Sequence, residues 1–323
     1  MSPFSWTSLR DAPPPGAAVE LAARHVSAVV IESRGGTRVV AAHAVEPLPD
    51  GALTPSLTGR NIQNRAAVAS ALHKVLERVG GPRRIGLVVP DPVARVSLVR
   101  FEQVPGRRDD LEQLVRWQLR KTAPFPLEEA LVSYVPGVRA ADGQEFIVSL
   151  ARRDLILEYE DICDAAGAHA GIVDISTFNV INAVLAGTSA PTADWLLVNV
   201  SPDSVSIAIL RGPHLIFFRT RPVDAEETLA DLVHQTAMYY EDRLQGAGFT
   251  HVLLSGASTV GAHQAADVEW IRRNLEERLG IAVETVDPCA AVTLTDRISA
   301  APALLDALAP LVGLLLRGRE ASA

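Results

Sequence analysis

The chain has 323 residues, 48% of them hydrophobic and 21% charged, with a mean hydropathy of +0.17. That is enough to bury a sizeable core in two domains or one large two-lobed domain. A formal net charge of −8, with the arginines scattered and not clustered, argues against a nucleic-acid surface.

Residues 1–15, "MSPFSWTSLRDAPPP", lack the apolar core of a signal peptide. They read as a mobile leader, because consecutive prolines nucleate neither helix nor central strand. Next comes "AVELAARHVSAVVIESRGGTRVVAAHAVE" (18–46), three predicted strands divided by turns at Ala23–His25 and Ser33–Thr37. A helix over Arg65–Val79 and a strand "RIGLVVP" (84–90) follow.

The plan then repeats. "LLVNVSPDSVSIAILRGPHLIFFRTRPV" (196–223) gives three more strands, followed by a helix over Ala225–Gly246 and a strand "HVLLSG" (251–256). Superimposing the two meanders lays "VSAVVI" (26–31) on "VSIAIL" (205–210), Glu20 on Asn199, and Ala22 on Ser201. Between the units, residues 95–170 read as a βαββα insertion. Strand "GIVDIS" (171–176) is expected to return the chain to a second lobe.

This doubled β-β-β-α-β unit resembles the lobes of the actin, Hsp70 and sugar-kinase fold, an α/β class that holds nucleotide between two lobes. The predicted organisation is a leader (1–15), a first lobe (16–94), an insertion (95–170) and a second lobe (171–323). No run approaches the roughly 18 uncharged apolar residues that span a bilayer. The nearest, "APALLDALAPLVGLLLRGR", is interrupted by Asp306 and Pro310 and reads as a buried or interfacial helix. A soluble, cytoplasmic protein is expected.

Cys163 and Cys289 have no metal or redox spacing, and the eight histidines have no ligand spacing, so no metal is expected. Walker, G-x-G-x-x-G and G-x-S-x-G motifs are missing. Asp174 and Asp224 follow strands, and both read as structural; Asp224 with Glu227 looks like a helix N-cap and its reciprocal partner. On the helix Arg108–Lys121, Leu111, Leu114, Val115 and Leu119 make the apolar stripe. Trp117 stands off that stripe beside Arg116 and Arg120, a composition found at binding hot spots.

"RFEQVPGRRDDLEQLVRWQLRKTAPFPLEEALVSYVPG" (100–137), and above all "APFPLEEALVSY" (123–134), resembles the insertion of the PilM family, actin-like proteins of type IV pilus assembly. "HVLLSGAS", "IAVETVDP" (281–288) and "PLVGLLLR" resemble further segments of it, so the likeness runs over about residues 16–318. It implies a scaffold at the cytoplasmic face of the inner membrane. It also implies binding, with other pilus-assembly proteins, of the N-terminal cytoplasmic tail of a PilN-like membrane protein. The groove it implies lies along residues 95–135 and the adjoining first lobe. Arg116, Trp117, Arg120 and Phe125 are the partner-binding candidates, and a homo-oligomer is left open.

Two departures bear on nucleotide. The family reads Asp-Ile-Gly at the first phosphate hairpin, where this chain has Glu20 and Ala22; the second hairpin has Asn199, Ser201 and Ser204, and the adenosine-side turn has Gly256. A small helical subdomain that follows the equivalent of "FFRTRPV" in the family is absent. The expectation is a fourth subdomain missing or reduced, a degenerate nucleotide site, no cofactor and no ATPase activity. The alternatives are a member that binds ATP and Mg, and the cytoplasmic domain of an L-type protein of type II secretion.

Overall fold

Alternating apolar side chains on strands covered from both sides dictate the architecture. In the first strand, β1 (Ala17–Leu21), all five residues are buried, Ala17, Val19 and Leu21 on one face and Ala18 on the other. The computed structural model describes residues 15–187, 189–223, 228–260, 265–295 and 298–317. The leader and the Asp224–Glu227 pair lie outside or largely outside these residues.

β1, β2 (His25–Arg34) and β3 (Thr37–Pro47) form an antiparallel meander. α1 (Arg65–Arg78) starts at Asn64, whose side chain accepts from the Ala67 N–H at 3.0 Å, the usual N-cap arrangement. It leads to β4 (Arg84–Val89), parallel to β1. A 3-10 turn, Asp91–Val93, passes the chain into β5 (Ala94–Phe101), α2 (Arg108–Leu119), β6 (Ala130–Ala140) and β7 (Gly143–Arg152). These strands form a separate sheet in the order β5-β7-β6. α2 covers one face of it, through Val115 and Leu119 against Phe101, Phe146, Val148 and Leu150.

The chain then returns through α3 (Arg153–Ala165), β8 (His169–Ile175) and α4 (Ser176–Leu185). Two boundaries depart here from the sequence expectation. α3 packs Ile156, Tyr159, Ile162 and Cys163 into the same core as α1, so the insertion proper is one helix on three strands. β8 does not open the second lobe; it pairs in parallel with β4 and closes the first sheet.

The second meander is β9 (Asp194–Val200), β10 (Ser204–Arg211) and β11 (His214–Pro222). α5 (Leu229–Leu244) begins at Thr228, which caps the Asp231 N–H at 3.1 Å, four residues beyond the expected start. Only residues 223–228 separate β11 from α5, so no fourth subdomain is inserted there. β12 (His251–Ser255) pairs in parallel with β9, and α6 (Ala257–Val260), α7 (Ala265–Leu279) and β13 (Val283–Thr285) complete this lobe.

The C-terminal segment crosses back. β14 (Thr293–Leu294) pairs with β3, and α8 (Pro302–Leu316) lays Leu308, Leu311, Val312 and Leu315 on the first sheet against Ala18, Val29, Val40 and Val88. The sheet orders are β14-β3-β2-β1-β4-β8 and β11-β10-β9-β12-β13. α8 and α4 therefore lie between the two sheets, α4 supplying Val180 and Ile181 to the core under Trp195 and Leu197. The segment read as a buried or interfacial helix is a buried one, and among the described residues no helix is long and apolar enough to cross a membrane.

The duplication holds to the residue. Glu20 pairs with Ser27 in the first meander and Asn199 with Ser206 in the second, so both hairpins present the same register to the space between the lobes.

Candidate functional site

The two hairpin turns face each other across the interlobe cleft, and each is closed on itself. The Ala22 N–H donates to the His25 carbonyl at 3.0 Å, and the Ser201 N–H to the Ser204 carbonyl at 2.8 Å. Ser201 Oγ donates to Asp203 at 3.0 Å and also accepts from the Ser204 N–H at 3.2 Å. Amides and hydroxyls that would have to point at a phosphate are thereby used within the turns.

Glu20 accepts from Ser176 Oγ at 3.1 Å and Ser27 Oγ at 3.4 Å, and is buried. His25 Nε2 stands 3.6 Å from its carboxylate, beyond hydrogen-bond range. Asn199 Nδ2 donates to Thr177 Oγ1 at 2.8 Å. Gly256 has a positive φ of 77°, and a Cβ on it would come within 2.1 Å of the Val200 carbonyl oxygen. The close approach of β12 to the end of β9 requires this glycine. Its N–H donates to Asp306 at 3.0 Å, and the Ser258 N–H donates to the same carboxylate at 2.8 Å. Burial pushes the Asp306 carboxyl up, and those two amides oppose the rise.

The residue that ties the lobes together was not singled out in the sequence. Asp91, just past β4, is buried and accepts from the Thr177 N–H at 2.9 Å, from Thr177 Oγ1, and from Ser206 Oγ at 2.7 Å. Thr177 lies in the first turn of α4 and Ser206 on β10, so one carboxylate of the first lobe holds the second directly. An Asp-Pro immediately after a buried parallel strand was the only sequence signal.

What remains between the hairpins is a cavity of about 60 Å³, lined by Glu20, His25, Ser176, Asn199, Ser201 and Asp203 among others. That suits a few water molecules at about 10–15 Å³ each, against roughly 300–1,000 Å³ for a small-molecule site. The open space between the hairpins is thus small in this arrangement, and His25 Nε2, buried beside it, has no hydrogen-bond partner among the described residues. Among the described residues no cluster of His, Cys, Asp and Glu could hold a metal ion.

A second concavity is tenfold larger. About 650 Å³ of open groove lies between β8, α4, the insertion sheet and the β10–β11 hairpin. Leu131 and Val135 of β6, Ile147 of β7, and Phe178 and Ile181 of α4 make it apolar, with Asp174 and Arg317 at its edge. Those two pair at 2.6 Å, and the Asp174 carboxyl is raised by burial, opposed by the guanidinium.

The partner-binding candidates lie elsewhere. Trp117 is 56% exposed, with Lys121 Nζ 5.5 Å above its ring. Arg116 pairs with Glu112 at 3.1 Å, Arg120 is exposed, and Phe125 packs at the margin of the insertion core. All sit on the α2 side of the insertion sheet, whereas the groove is on its other face. The structure brings Glu20, Ala22, Asn199, Ser201, Ser204 and Gly256 together at the cleft, and separates the four α2-side residues from the groove.

The Asp91 carboxyl gives a pH test. Burial raises its pKa above the ordinary carboxylate range, against the hydrogen bonds from Ser206 and Thr177 that favour ionisation. A carboxyl raised on folding contributes stability below its unfolded pKa of about 3.9, and that contribution is lost as pH rises through the folded value. Asp91→Asn fixes an uncharged side chain, so its stability relative to the parent should be greatest near about pH 8 and decline toward about pH 4. Urea midpoints across that range measure it; a difference independent of pH would show that the group is not shifted.

A family model described as type IV pilus assembly protein PilM matches residues 18–247. Among solved structures, the PilM-PilN type IV pilus biogenesis complex superposes with a TM-score of 0.79 at 18% identity, covering 95% of this chain and 99% of that one. The cytoplasmic domain of EpsL, an inner membrane component of the type II secretion system of Vibrio cholerae, gives 0.47 at 14% identity, covering 74% of this chain and 80% of that one. A Bacteroides thetaiotaomicron protein with an actin-like ATPase fold gives 0.49 at 10% identity, with coverages of 83% and 89%. The architecture is thus actin-like α/β, two lobes around a central helix pair. With well over half of its length matched by the family model, the chain belongs to the PilM family of type IV pilus assembly proteins.

Proposed function

We propose that this chain serves pilus assembly as a scaffold that holds the N-terminal cytoplasmic tail of a PilN-like inner-membrane protein and does not hydrolyse ATP. The contrast between the two concavities carries the reading. The cleft is bonded shut by side chains of both lobes around about 60 Å³, while about 650 Å³ of apolar groove stands open beside the insertion. An extended segment with a few apolar anchors suits such a groove, where a small number of polar groups fix its direction. Binding there would keep the protein at the cytoplasmic face of the membrane through its partner. The resemblance to the PilM-PilN complex supports the choice of partner.

The exposed Trp117 favours a second surface on α2, with Arg116, Arg120 and Phe125 around it. An ATP-binding member is the rival for the cleft, since Glu20 retains a carboxylate there.

Two measurements test the proposal. A synthetic peptide with the tail sequence of the PilN-like protein should bind in a calorimetric titration; no heat at high micromolar peptide would overturn the partner assignment. Millimolar MgATP should leave the melting temperature unchanged. A ligand at about 100 times its Kd stabilises the native state by about 2.7 kcal/mol, which is roughly 4 °C for a chain of this length. A shift of that order would restore the nucleotide-binding reading.

A further inference from the structure

We infer that Asp91 is a clasp that fixes the angle between the lobes and so holds the walls of the groove at their working separation. The groove has three walls, and each is tied to this one carboxylate. The insertion departs from the first lobe at the turn that carries Asp91, and its β6 and β7 give Leu131, Val135 and Ile147. α4 is held in its first turn through the two donors of Thr177, and gives Phe178 beside them and Ile181 one turn on. β10 is held through Ser206, and the hairpin it forms with β11 gives Leu210, Pro213 and Leu215.

Among the described residues, the other bonded side chains of the cleft do not join all three. Asn199 reaches only Thr177, and Asp306 binds the Gly256–Ser258 turn on the far side. Phe178 extends the link, since its ring meets Phe218 of β11 edge-on at 5.3 Å. In a fold whose lobes can hinge about the segments that join them, a buried carboxylate with three donors replaces a bridging ligand and favours one closed arrangement. Asp91 touches no occupant of the groove. It is a positioning residue, and it raises affinity by populating the arrangement in which the walls are correctly spaced. That an occupant is the PilN-like tail rests on the preceding proposal; the clasp does not.

Two spin-label distances test it without any peptide, in a Cys289→Ser background that leaves only the buried Cys163. One pair, His73→Cys on α1 and Asp242→Cys on α5, reads the separation of the lobes from exposed outer helices. The other, Val135→Cys and His214→Cys, reads the groove from wall to wall. The parent should give one narrow distribution for each pair. Asp91→Ala should lengthen and broaden both, and Asp91→Asn, which keeps an acceptor for the Thr177 N–H, should return both toward the parent. Ser206→Ala, which removes only the second-lobe donor, should give a smaller change in the same direction and covers the case in which Asp91→Ala fails to fold. Unchanged distributions in folded Asp91→Ala, or in Ser206→Ala if the former does not fold, would overturn the clasp. So would a change in the lobe pair that leaves the groove pair unmoved. Failure of the tail peptide to bind the parent would count only against the partner.

Discussion

Replacing Gly313 with alanine should destabilise the protein by about 3 kcal/mol, the upper end of what overpacking a core usually costs. A Cβ at this position would lie 1.7 Å from the Asn179 carbonyl oxygen, 2.6 Å from its carbon and 2.9 Å from the Ala183 nitrogen. Those are backbone atoms of α4, so no rotamer change relieves the overlap, and the two helices must move apart. They have nowhere to go, because α8 is buried from Ala307 to Leu316 and α4 is held between the sheets. The expected fall in melting temperature is roughly 4–5 °C. Gly106→Ala is the control: an added Cβ there meets nothing within 4 Å, and surface changes of that kind stay within about 0.5 kcal/mol. A Gly313→Ala variant that melts with the parent would mean that α4 and α8 are not in backbone contact.

The meanders were legible because local chemistry writes them. Gly35 and Gly36, at positive φ of 59° and 84°, make the β2–β3 turn, and apolar runs on either side set the strands. The match of Glu20–Ser27 to Asn199–Ser206 could be read by superimposing two stretches of sequence, since antiparallel register follows from the length of the turn. Parallel pairing has no such local signature. "GIVDIS" reads as a buried strand, but only its distant partner, β4, decides which sheet it enters. The same applies to β14 and α8, which return to the first sheet after the second is complete.

The site was legible in part for a related reason. Helical periodicity placed Trp117 outside the apolar stripe of α2, and it is exposed. The groove was hidden because β6 and β7 are apolar on both faces. Val132, Phe146 and Val148 meet α2, while Leu131, Val135 and Ile147 line the groove. Such strands announce that both faces can be covered without saying by what. Asp91 escaped notice because an acid after a strand reads as a turn residue until its partners, 86 and 115 residues away, are in place.

Ser149→Trp should abolish capture of the tail peptide while leaving the fold intact. Ser149 sits on β7, the central strand of the insertion sheet, opposite Val96 on one side and Ser133 on the other, and faces into the groove. An indole there occupies the volume that an extended segment would need. Trp is well suited to a pleated, half-buried surface, so the melting temperature should stay within a few degrees. A loss of at least about a hundredfold in affinity is expected, equivalent to about 2.8 kcal/mol. Trp117→Ala, on the opposite face of the same sheet, should change the affinity by less than about twofold, since it removes a side chain that the tail does not touch. The two variants divide the proposed surfaces cleanly. If Ser149→Trp binds like the parent and Trp117→Ala loses the peptide, the tail lies on α2 and the groove serves something else. Loss in the first with retention in the second places the tail between the insertion and α4, where all three walls controlled by Asp91 converge.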